Sequence, residues 1–371
     1  MTRKKVFLWK SGFKLAAALS FLFALMLVLS PTSEENISAA ANAEINAERP
    51  EEAATAVSIG ERLIAAGQTT GIKLFSEGTM VVGFAGVEPD GASPAKKAGI
   101  ELGDIIIGLN GSDISSNEDL VSEMAGISEP EISLRVKRGE EEKEMKIEAV
   151  YDEAAKCYKM GAWVRDSIAG IGTITFIDPK TGAFGALGHG ICDADTGVLM
   201  PIESGRVMHS SVAAVKKSLD GEPGELVGKF ELESDSGVLY ANTERGIFGR
   251  LDDPSEYESG RLYPAAKRSE IQEGKASIIC NIEGTEKAQY DIEIIKIYNS
   301  AADDPKDMMI RITDKELLGL TGGIVQGMSG SPILQNGKLV GAVTHVLVND
   351  TKRGYAISIE KMIEQAESLS A

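Results

Sequence analysis

Histidine, cysteine and aromatic residues are scarce in this chain, and each scarcity excludes a class of protein. Three histidines in 371 residues, with no HxxxH pair and no Cys/His cluster, argue against a zinc enzyme. Cys157, Cys192 and Cys280 lack CxxC spacing, so they form no disulfide framework, although a single bridge stays open. We therefore expect no metal ion and no other cofactor.

Positive charge is also in short supply. The chain has 38 Lys and Arg residues against 56 Asp and Glu residues, a formal net charge of −18. Nucleic acid is therefore excluded as a partner, because phosphate binding needs clustered cations. Forty glycines and 5% aromatic residues favour a turn-rich β structure.

The amino terminus predicts a location. An uncharged run, Leu15–Ser30, ends at Pro31 and is preceded by five basic residues: Arg3, Lys4, Lys5, Lys10 and Lys14. This order is typical of an export signal or a membrane anchor, so we expect a hydrophobic helix within residues 1–31 and export of the remainder. The small-residue stretch Ser38–Ala43 would admit a signal peptidase, which leaves a retained anchor and a cleaved signal both open.

Composition divides the rest of the chain into three parts. Residues 32–69 are rich in Ala, Glu, Asn and Ser without a period of two, which predicts a stalk with a helix over Glu51–Ala66. Residues 70–150 predict an α+β domain, and residues 151–371 predict a domain of many short strands.

The α+β part carries a recognisable order of elements. The apolar run Thr79–Phe84 is followed by a short Ser-Pro helix and by Ala98–Gly111, which ends in the tight turn Asn110-Gly111. A helix over Asn117–Ala125 and two strands, Glu131–Arg138 and Glu144–Val150, complete the pattern.

This order resembles a PDZ domain, on the strength of the Ala98–Gly111 core. The resemblance implies that an extended peptide adds to an exposed strand edge. That edge would be formed by Met80, Val81, Val82, Gly83 and Phe84. The alternative is a generic α+β subdomain whose groove is empty or used internally.

Short strands with glycine-bearing turns continue from about residue 160 to the carboxyl end. They predict a chymotrypsin-like double β-barrel closed by an amphipathic helix over Ile359–Ser368, with Ser358 as its cap. The predicted strands are Gly170–Ile177, Gly237–Ala241, Ser277–Asn281, Tyr290–Tyr298, Met308–Thr313, Lys338–Val348 and Gly354–Ser358. The fold class is therefore mostly β.

Ser329 is the candidate nucleophile. It lies in Gly327-Met328-Ser329-Gly330-Ser331-Pro332, where small neighbours permit a sharp turn and an open approach. The backbone N–H groups of Gly327 and Ser329 would form the oxyanion hole. A strand follows, so the motif is that of chymotrypsin-like peptidases and differs from the strand-to-helix elbow of α/β-hydrolases.

His189 is the candidate general base, since glycines on both sides give its imidazole room to reach a serine and a substrate. His209 lies in a polar loop and is a poorer candidate. His345 follows the nucleophile within a strand, where it would either line the specificity pocket or pack as an ordinary strand residue. The residue that orients the imidazole stays open among five aspartates: Asp178, Asp193, Asp195, Asp235 and Asp314.

Three segments resemble the stage IV sporulation protein B peptidases: Ala186–Gly190, Ile312–Asp314 and the specific string Thr321–Ile333. The likeness extends over the whole chain except the stalk. It implies a serine endopeptidase of the chymotrypsin clan with His189, Asp314 and Ser329 as its catalytic residues, which selects Asp314 among the aspartates.

The resemblance also implies a role. Such a peptidase is exported into the space between the forespore and mother-cell membranes. There it cleaves itself and a membrane-associated regulator of an intramembrane protease, so that a sigma factor precursor is processed. The expected partners are thus protein or peptide substrates, including its own amino-terminal segment, and the membrane.

Two rival hypotheses remain at this level. The chain could be a non-catalytic PDZ adaptor on a peptidase scaffold, but such proteins usually lose the base, the nucleophile or the glycine framework. A thiol peptidase built on Cys192 is remote, because Cys192 is close to His189 in sequence and has no oxyanion loop beside it.

Overall fold

The structure, a computed structural model, describes residues 59–87, 91–219, 221–257, 260–299 and 304–369. The predicted signal or anchor helix in residues 1–31, and most of the predicted stalk, lie outside these residues. Within them, no helix combines the length and the apolar character that crossing a membrane requires.

The described chain is mostly β. Its helices are α1 Pro94–Lys97, α2 Asn117–Ala125, α3 Lys315–Thr321 and α4 Ile359–Ser368, with 3₁₀ turns at Pro254–Tyr257 and Arg268–Glu270. Its strands are β1 Arg62–Phe84, β2 Ile105–Leu109, β3 Ser112–Asp113, β4 Glu131–Arg138, β5 Glu141–Glu148, β6 Val150–Asp152, β7 Cys157–Lys159, β8 Ala162–Ile177, β9 Ala183–Ala186, β10 Ser204–Lys216, β11 Glu225–Thr243, β12 Gly246–Leu251, β13 Leu262–Pro264, β14 Gly274–Glu283, β15 Glu286–Ile297, β16 Met308–Ile312, β17 Pro332–Gln335, β18 Lys338–Leu347 and β19 Asp350–Ser358.

The carboxy-terminal strands close into a barrel, in the order β14-β15-β16-β19-β18-β17, with β17 pairing back to β14. Alternate residues of these strands fill the interior with apolar side chains, among them Ile278, Ile292, Ile310 and Val343. The predicted barrel is confirmed for this half.

The larger sheet also contains a run of strands that returns to its start. Strand β1 pairs with β8, and the pairing continues through β9, β12, β11 and β10, which pairs again with β1. Phe176, Phe184 and Phe248 are fully buried in this part of the molecule.

The PDZ-like part has its own core beside this sheet. Strands β2, β4 and β5 continue the sheet outward from β1, while Ala95 of α1 and Leu120 of α2 are buried in the same apolar cluster as Ile106 and Leu134. The predicted helix Asn117–Ala125 is confirmed with its bounds. It begins at Ser116, whose side chain accepts from the Asp119 amide in a capping box.

The predicted stalk is wrong over its last residues. Residues Arg62–Ala66 were expected to be helical but form the start of β1, where Leu63 and Ile64 are almost completely buried. A strand that is buried on both faces reads as a continuous apolar run, so it lacks the alternation on which a sequence-based assignment depends.

The carboxy-terminal helix is confirmed over Ile359–Ser368. Ser358 occupies the N-cap position, but its side chain makes no cap hydrogen bond. Its hydroxyl donates instead to the buried carboxylate of Asp307 at 2.8 Å, which ties the helix start to the residue that precedes β16.

Candidate active site

Ser329 lies on a tight turn between α3 and β17. Gly327 and Gly330 have φ values of 94° and 97°, a region of backbone space that side chains other than glycine rarely adopt. The Gly330 amide donates to Val343 at 2.7 Å, and the Ser331 amide donates to Met328 at 2.9 Å. These bonds fix the turn against β18 and leave the half-buried Ser329 at its tip.

Two amides of this turn remain available. In the described part of the chain, the N–H groups of Gly327 and Ser329 donate to no backbone carbonyl, although their neighbours do. These are the two amides that the sequence predicts as oxyanion donors, and that assignment stays a prediction.

The Ser329 hydroxyl donates to the backbone carbonyl of Thr344 at 2.6 Å. A carbonyl cannot take up the proton during an attack, so this bond holds the hydroxyl in a resting orientation. A rotation about χ1 would release it toward another acceptor.

His189 lies on the loop after β9. Its Nδ1 is 2.8 Å from the carbonyl oxygen of Gly190. Because a carbonyl only accepts, the neutral imidazole carries its proton on Nδ1, and the lone pair of Nε2 stays free. This is the tautomer that a general base needs, and a backbone carbonyl selects it here.

The two predicted residues meet through β18. The imidazole of His189 packs on that of His345 with the ring centres 4.8 Å apart. The residue before His345 is Thr344, whose carbonyl holds the Ser329 hydroxyl. Ser329 and His189 therefore contact adjacent residues of β18: Ser329 contacts Thr344, and His189 contacts His345.

Thr173 of β8 connects the two halves of this site, and sequence reasoning missed it. Its buried hydroxyl donates to the Gly327 carbonyl at 2.7 Å, and its amide donates to the Ser329 carbonyl at 3.1 Å. Its own carbonyl accepts from the Leu187 amide at 3.2 Å, on the loop that carries His189. One residue thus holds the base loop and the nucleophile turn in register.

The surroundings of His189 favour its neutral form. Burial lowers the pKa of the imidazole below its ordinary value, while the Gly190 carbonyl and the charge of Glu244 act in the opposite direction. Burial and the neighbouring His189 also lower the pKa of His345, to about 4, so that ring is uncharged at neutral pH.

In the part of the chain that the structure describes, no hydrogen bond or ion pair joins Asp314 to the His189 imidazole. It is the N-cap of α3, where Oδ1 accepts from the amides of Glu316 and Leu317 at 2.9 and 3.0 Å. Its Oδ2 faces the Asp291 amide at 3.4 Å. Its role as the third catalytic residue stays a prediction. Sequence reasoning missed the capping role, although Asp is a preferred N-cap residue.

The other aspartates are held elsewhere by their own partners. Asp178 accepts from the Gly60 amide, Asp193 and Asp195 pair with Arg165, and Asp235 lies 3.6 Å from Arg206. The carboxylate whose charge raises the pKa of His189 is Glu244, in the turn between β11 and β12. Glu244 was not among the candidates, since a turn glutamate carries no motif.

One side of the predicted peptide-docking edge is already paired with another strand of the chain. Met80, Val81, Gly83 and Phe84 pair in register with Arg165, Val164, Trp163 and Ala162 of β8. The chain's own strand therefore occupies the position that an added peptide would take there. The run Thr79–Phe84 looks like an edge because the sequence does not reveal that β8 returns to it.

The remaining candidates lie away from the site. His209 lies 3.6 Å from Glu256 and lines a separate cavity of about 660 Å³. All three cysteines are free. Burial raises the pKa of the Cys192 thiol, which disfavours the thiolate that a thiol peptidase would need.

Residues 156–363, more than half of the chain, match the SpoIVB peptidase S55 family. The chain belongs to that family. The match confirms the resemblance seen in the sequence and makes this protein a serine endopeptidase that acts on peptide or protein substrates. Residues 68–149 match a PDZ domain. No curated protein matches the sequence.

The solved structures that resemble parts of this chain share little sequence identity with it. The PDZ domain of the SdrC-like protein from Listeria monocytogenes is 17% identical, with 24% of this chain and 87% of that chain covered and a TM-score of 0.20. The active form of the Rv3671c protease from M. tuberculosis is 15% identical, with 55% and 75% covered and a TM-score of 0.32. The HtrA-type protease AlgW with a decapeptide is 10% identical, with 82% and 65% covered and a TM-score of 0.33.

Proposed function

We propose that Ser329 is the nucleophile and His189 the general base of this S55 peptidase. The observation that supports the proposal is that both residues contact the same segment of β18, Thr344 and His345. Ser329 is 2.6 Å from the Thr344 carbonyl, and the imidazole of His189 packs on His345. In the working enzyme the hydroxyl leaves the Thr344 carbonyl and donates to the Nε2 lone pair of His189, which makes the base–nucleophile contact.

The reaction then follows from the groups around Ser329. Its oxygen attacks the scissile carbonyl as His189 takes the proton, and the proton later passes to the leaving amine. The Gly327 and Ser329 amides stabilise the oxyanion. The Gly190 carbonyl keeps the imidazole in the required tautomer, and Asp314 contributes either as the family's third residue or by holding the start of α3.

The cellular role is inferred from the family and from the amino-terminal sequence. The protein is exported, anchored or released, into the space between the forespore and mother-cell membranes. It cleaves its own amino-terminal segment and a membrane-associated regulator of an intramembrane protease, which then processes a sigma factor precursor.

Labelling with a fluorophosphonate probe tests the catalytic residues. The wild-type protein is expected to be labelled at Ser329, while Ser329→Ala and His189→Ala lose the label. Ser331→Ala is the matched control. The buried hydroxyl of Ser331 has no hydrogen-bond partner among the described residues, so its removal should lower the free energy of unfolding little. Equal labelling of wild type and His189→Ala would contradict the assignment of the base.

Mass spectrometry of the mature amino terminus tests self-cleavage. We expect the wild-type protein to be shortened within its amino-terminal segment and Ser329→Ala to keep that segment. If the serine variant were trimmed at the wild-type bond and rate, the cut would come from another protease.

A further inference from the structure

A row of outward-facing side chains crosses the carboxy-terminal barrel from His345, the histidine that packs on His189. His345 pairs in register with Tyr355, Tyr355 with Met309, and Met309 with Lys296. Tyr298 adds a second ring, with its centre 6.2 Å from that of Tyr355. The positions next to the row in these strands, such as Thr344 and Ile310, are buried, so the row faces solvent.

Two lysines lie over the rings of this row. The Nζ of Lys306 is 5.3 Å from the centre of the Tyr355 ring, and the Nζ of Lys296 is 4.9 Å from that of Tyr298. We call Tyr298, Tyr355, Lys296 and Lys306 the cationic strip.

The ammonium groups of the strip form no ion pair with the described carboxylates beside them, because Asp304 and Glu273 accept instead from the backbone amides of Lys306 and Ile297. In the described part of the chain no carboxylate forms an ion pair with Lys296 or Lys306. The two arginines of the next row are both paired, Arg311 with Glu293 and Arg353 with Asp350. What distinguishes these two lysines from other exposed lysines is their place over aromatic rings on the row that ends at His345, which leaves positive charge available to an acidic partner beside the active site.

The strip is continuous with the catalytic centre. His345 lies at one end of the row and packs on His189, so a chain that crosses the strip leads directly to the base. This continuity favours a polypeptide substrate over a lipid surface, since a flat membrane gains nothing from a path that ends at an imidazole.

We propose that the cationic strip binds acidic side chains of the polypeptide substrate at a fixed distance from the scissile bond. Three strand spacings of about 4.8 Å separate His345 from Lys296, roughly 14 Å in all, which an extended peptide covers in about four residues. Aspartate or glutamate about four residues from the cut is therefore preferred. The proposal rests on the peptidase function above and adds the class of sequence that it selects.

Cleavage of a proteome-derived peptide library measures the preference directly. Wild-type cut sites are expected to be enriched in Asp and Glu about four residues from the bond. The value of kcat/KM is then measured for one acidic peptide from that set and for its Glu→Gln counterpart, and the first value is divided by the second. Lys296→Gln with Lys306→Gln should lower this ratio about three- to tenfold, as expected for two exposed ion pairs, and added salt should lower it in the wild type.

Lys180→Gln with Lys229→Gln is the matched control, because both lysines are exposed, lie outside the strip and remove the same charge. The control is expected to keep the wild-type ratio. A wild-type profile without acidic preference, or an equal loss in both double variants, would overturn the proposal.

Binding to Ser329→Ala keeps the test independent of catalysis. A fluorescein-labelled Ala/Glu peptide should bind this variant more tightly than its Ala/Gln counterpart, and the Lys296/Lys306 substitutions should remove the difference. If they weakened binding only to phosphatidylserine vesicles, the strip would be a membrane contact and the peptide proposal would fail. Cleavage by Ser329→Ala at the wild-type rate would instead overturn the peptidase assignment and leave this binding result standing.

Discussion

At the scale of single residues, two opposing influences determine the pKa of the His189 imidazole. Burial lowers the pKa of its imidazole, and the charge of Glu244 partly counteracts this. The base must be neutral to accept the serine proton, so kcat/KM should rise with pH through the pKa of the free enzyme and level off above it. We expect this acid limb below the ordinary pKa of histidine.

Replacing Glu244 tests the source of that balance. Glu244→Gln removes a charge that favours imidazolium, so the pKa should fall and the acid limb should move to lower pH. His345, with its pKa of about 4, is neutral over most of this range and adds little repulsion. The measurement is kcat/KM against pH, with Glu118→Gln, an exposed carboxylate of α2, as the control for net charge. An unmoved limb would show that Glu244 does not act on the base.

Asp314 has two roles to separate, and Asn is the discriminating substitution. Asp314→Ala removes an N-cap and should lower the free energy of unfolding by about 1 kcal/mol, whereas Asp314→Asn should restore it because Asn is a good cap. Denaturant unfolding checks the stability, and kcat reports the chemistry.

The activity of the stable Asn variant then decides between the roles. Near-wild-type kcat would leave capping as the contribution of Asp314. A loss of about 10⁴-fold at unchanged stability would show that its carboxylate orients His189 in the working enzyme, as the family resemblance implies.

Sequence could identify His189 and Ser329 because each lies within a compact motif of small residues. It could not identify the groups that hold them. The Gly190 carbonyl is a backbone group without a motif, and the Thr344 carbonyl and the Thr173 hydroxyl reach the nucleophile turn from other strands. A contact between residues more than 150 positions apart leaves no local pattern.

At the scale of elements, the nucleophile turn is the least tolerant segment. A Cβ on Gly330 would collide with the Thr173 carbonyl oxygen and come within 2.7 Å of the Leu187 amide, in a backbone conformation with φ of 97°. Gly330→Ala should therefore lower the free energy of unfolding by about 3 kcal/mol or more and abolish activity.

Gly337 provides the matched comparison for that substitution. It has a φ of 77°, but an added Cβ would meet no atom of the described residues within 4 Å. Gly337→Ala should lower the free energy of unfolding by only about 1 kcal/mol, because the backbone conformation is its only penalty, and it should leave kcat unchanged. Urea unfolding of both variants makes the measurement, and equal losses of stability would show that steric contact with Thr173 plays no part.

Elements with clear periodicity and caps were predictable, as α2 and α4 show. Strand β1 was recognised only over Thr79–Phe84, although it extends from Arg62. Its earlier residues pair on both sides, with β8 and with β10, and sequence alone carries no record of two such distant partners.

At the scale of the whole molecule, the PDZ-like part is inserted into a long hairpin. Strands β1 and β8 pair from Ile64 with Ile177 to Phe84 with Ala162, and the PDZ-like residues form the connection at its far end. In the half of this hairpin farther from the PDZ-like residues, up to the pair Phe75 and Ser167, strand β1 also pairs with β10. The amino-terminal part of β1 therefore belongs to the peptidase in structure, although it precedes the PDZ-like core in sequence.

Two deletions distinguish this arrangement from two independent domains in tandem. Replacing residues 77–165 with a short Asn-Gly turn joins strand ends that lie about 5 Å apart across the ladder, so the peptidase should stay folded and labelled by a fluorophosphonate. Removing residues 59–155 takes away β1 and opens the ring of strands, so this variant should lose cooperative thermal unfolding and the label. A folded, labelled product of the second deletion would show that the peptidase does not need β1, and the hairpin description would then be wrong.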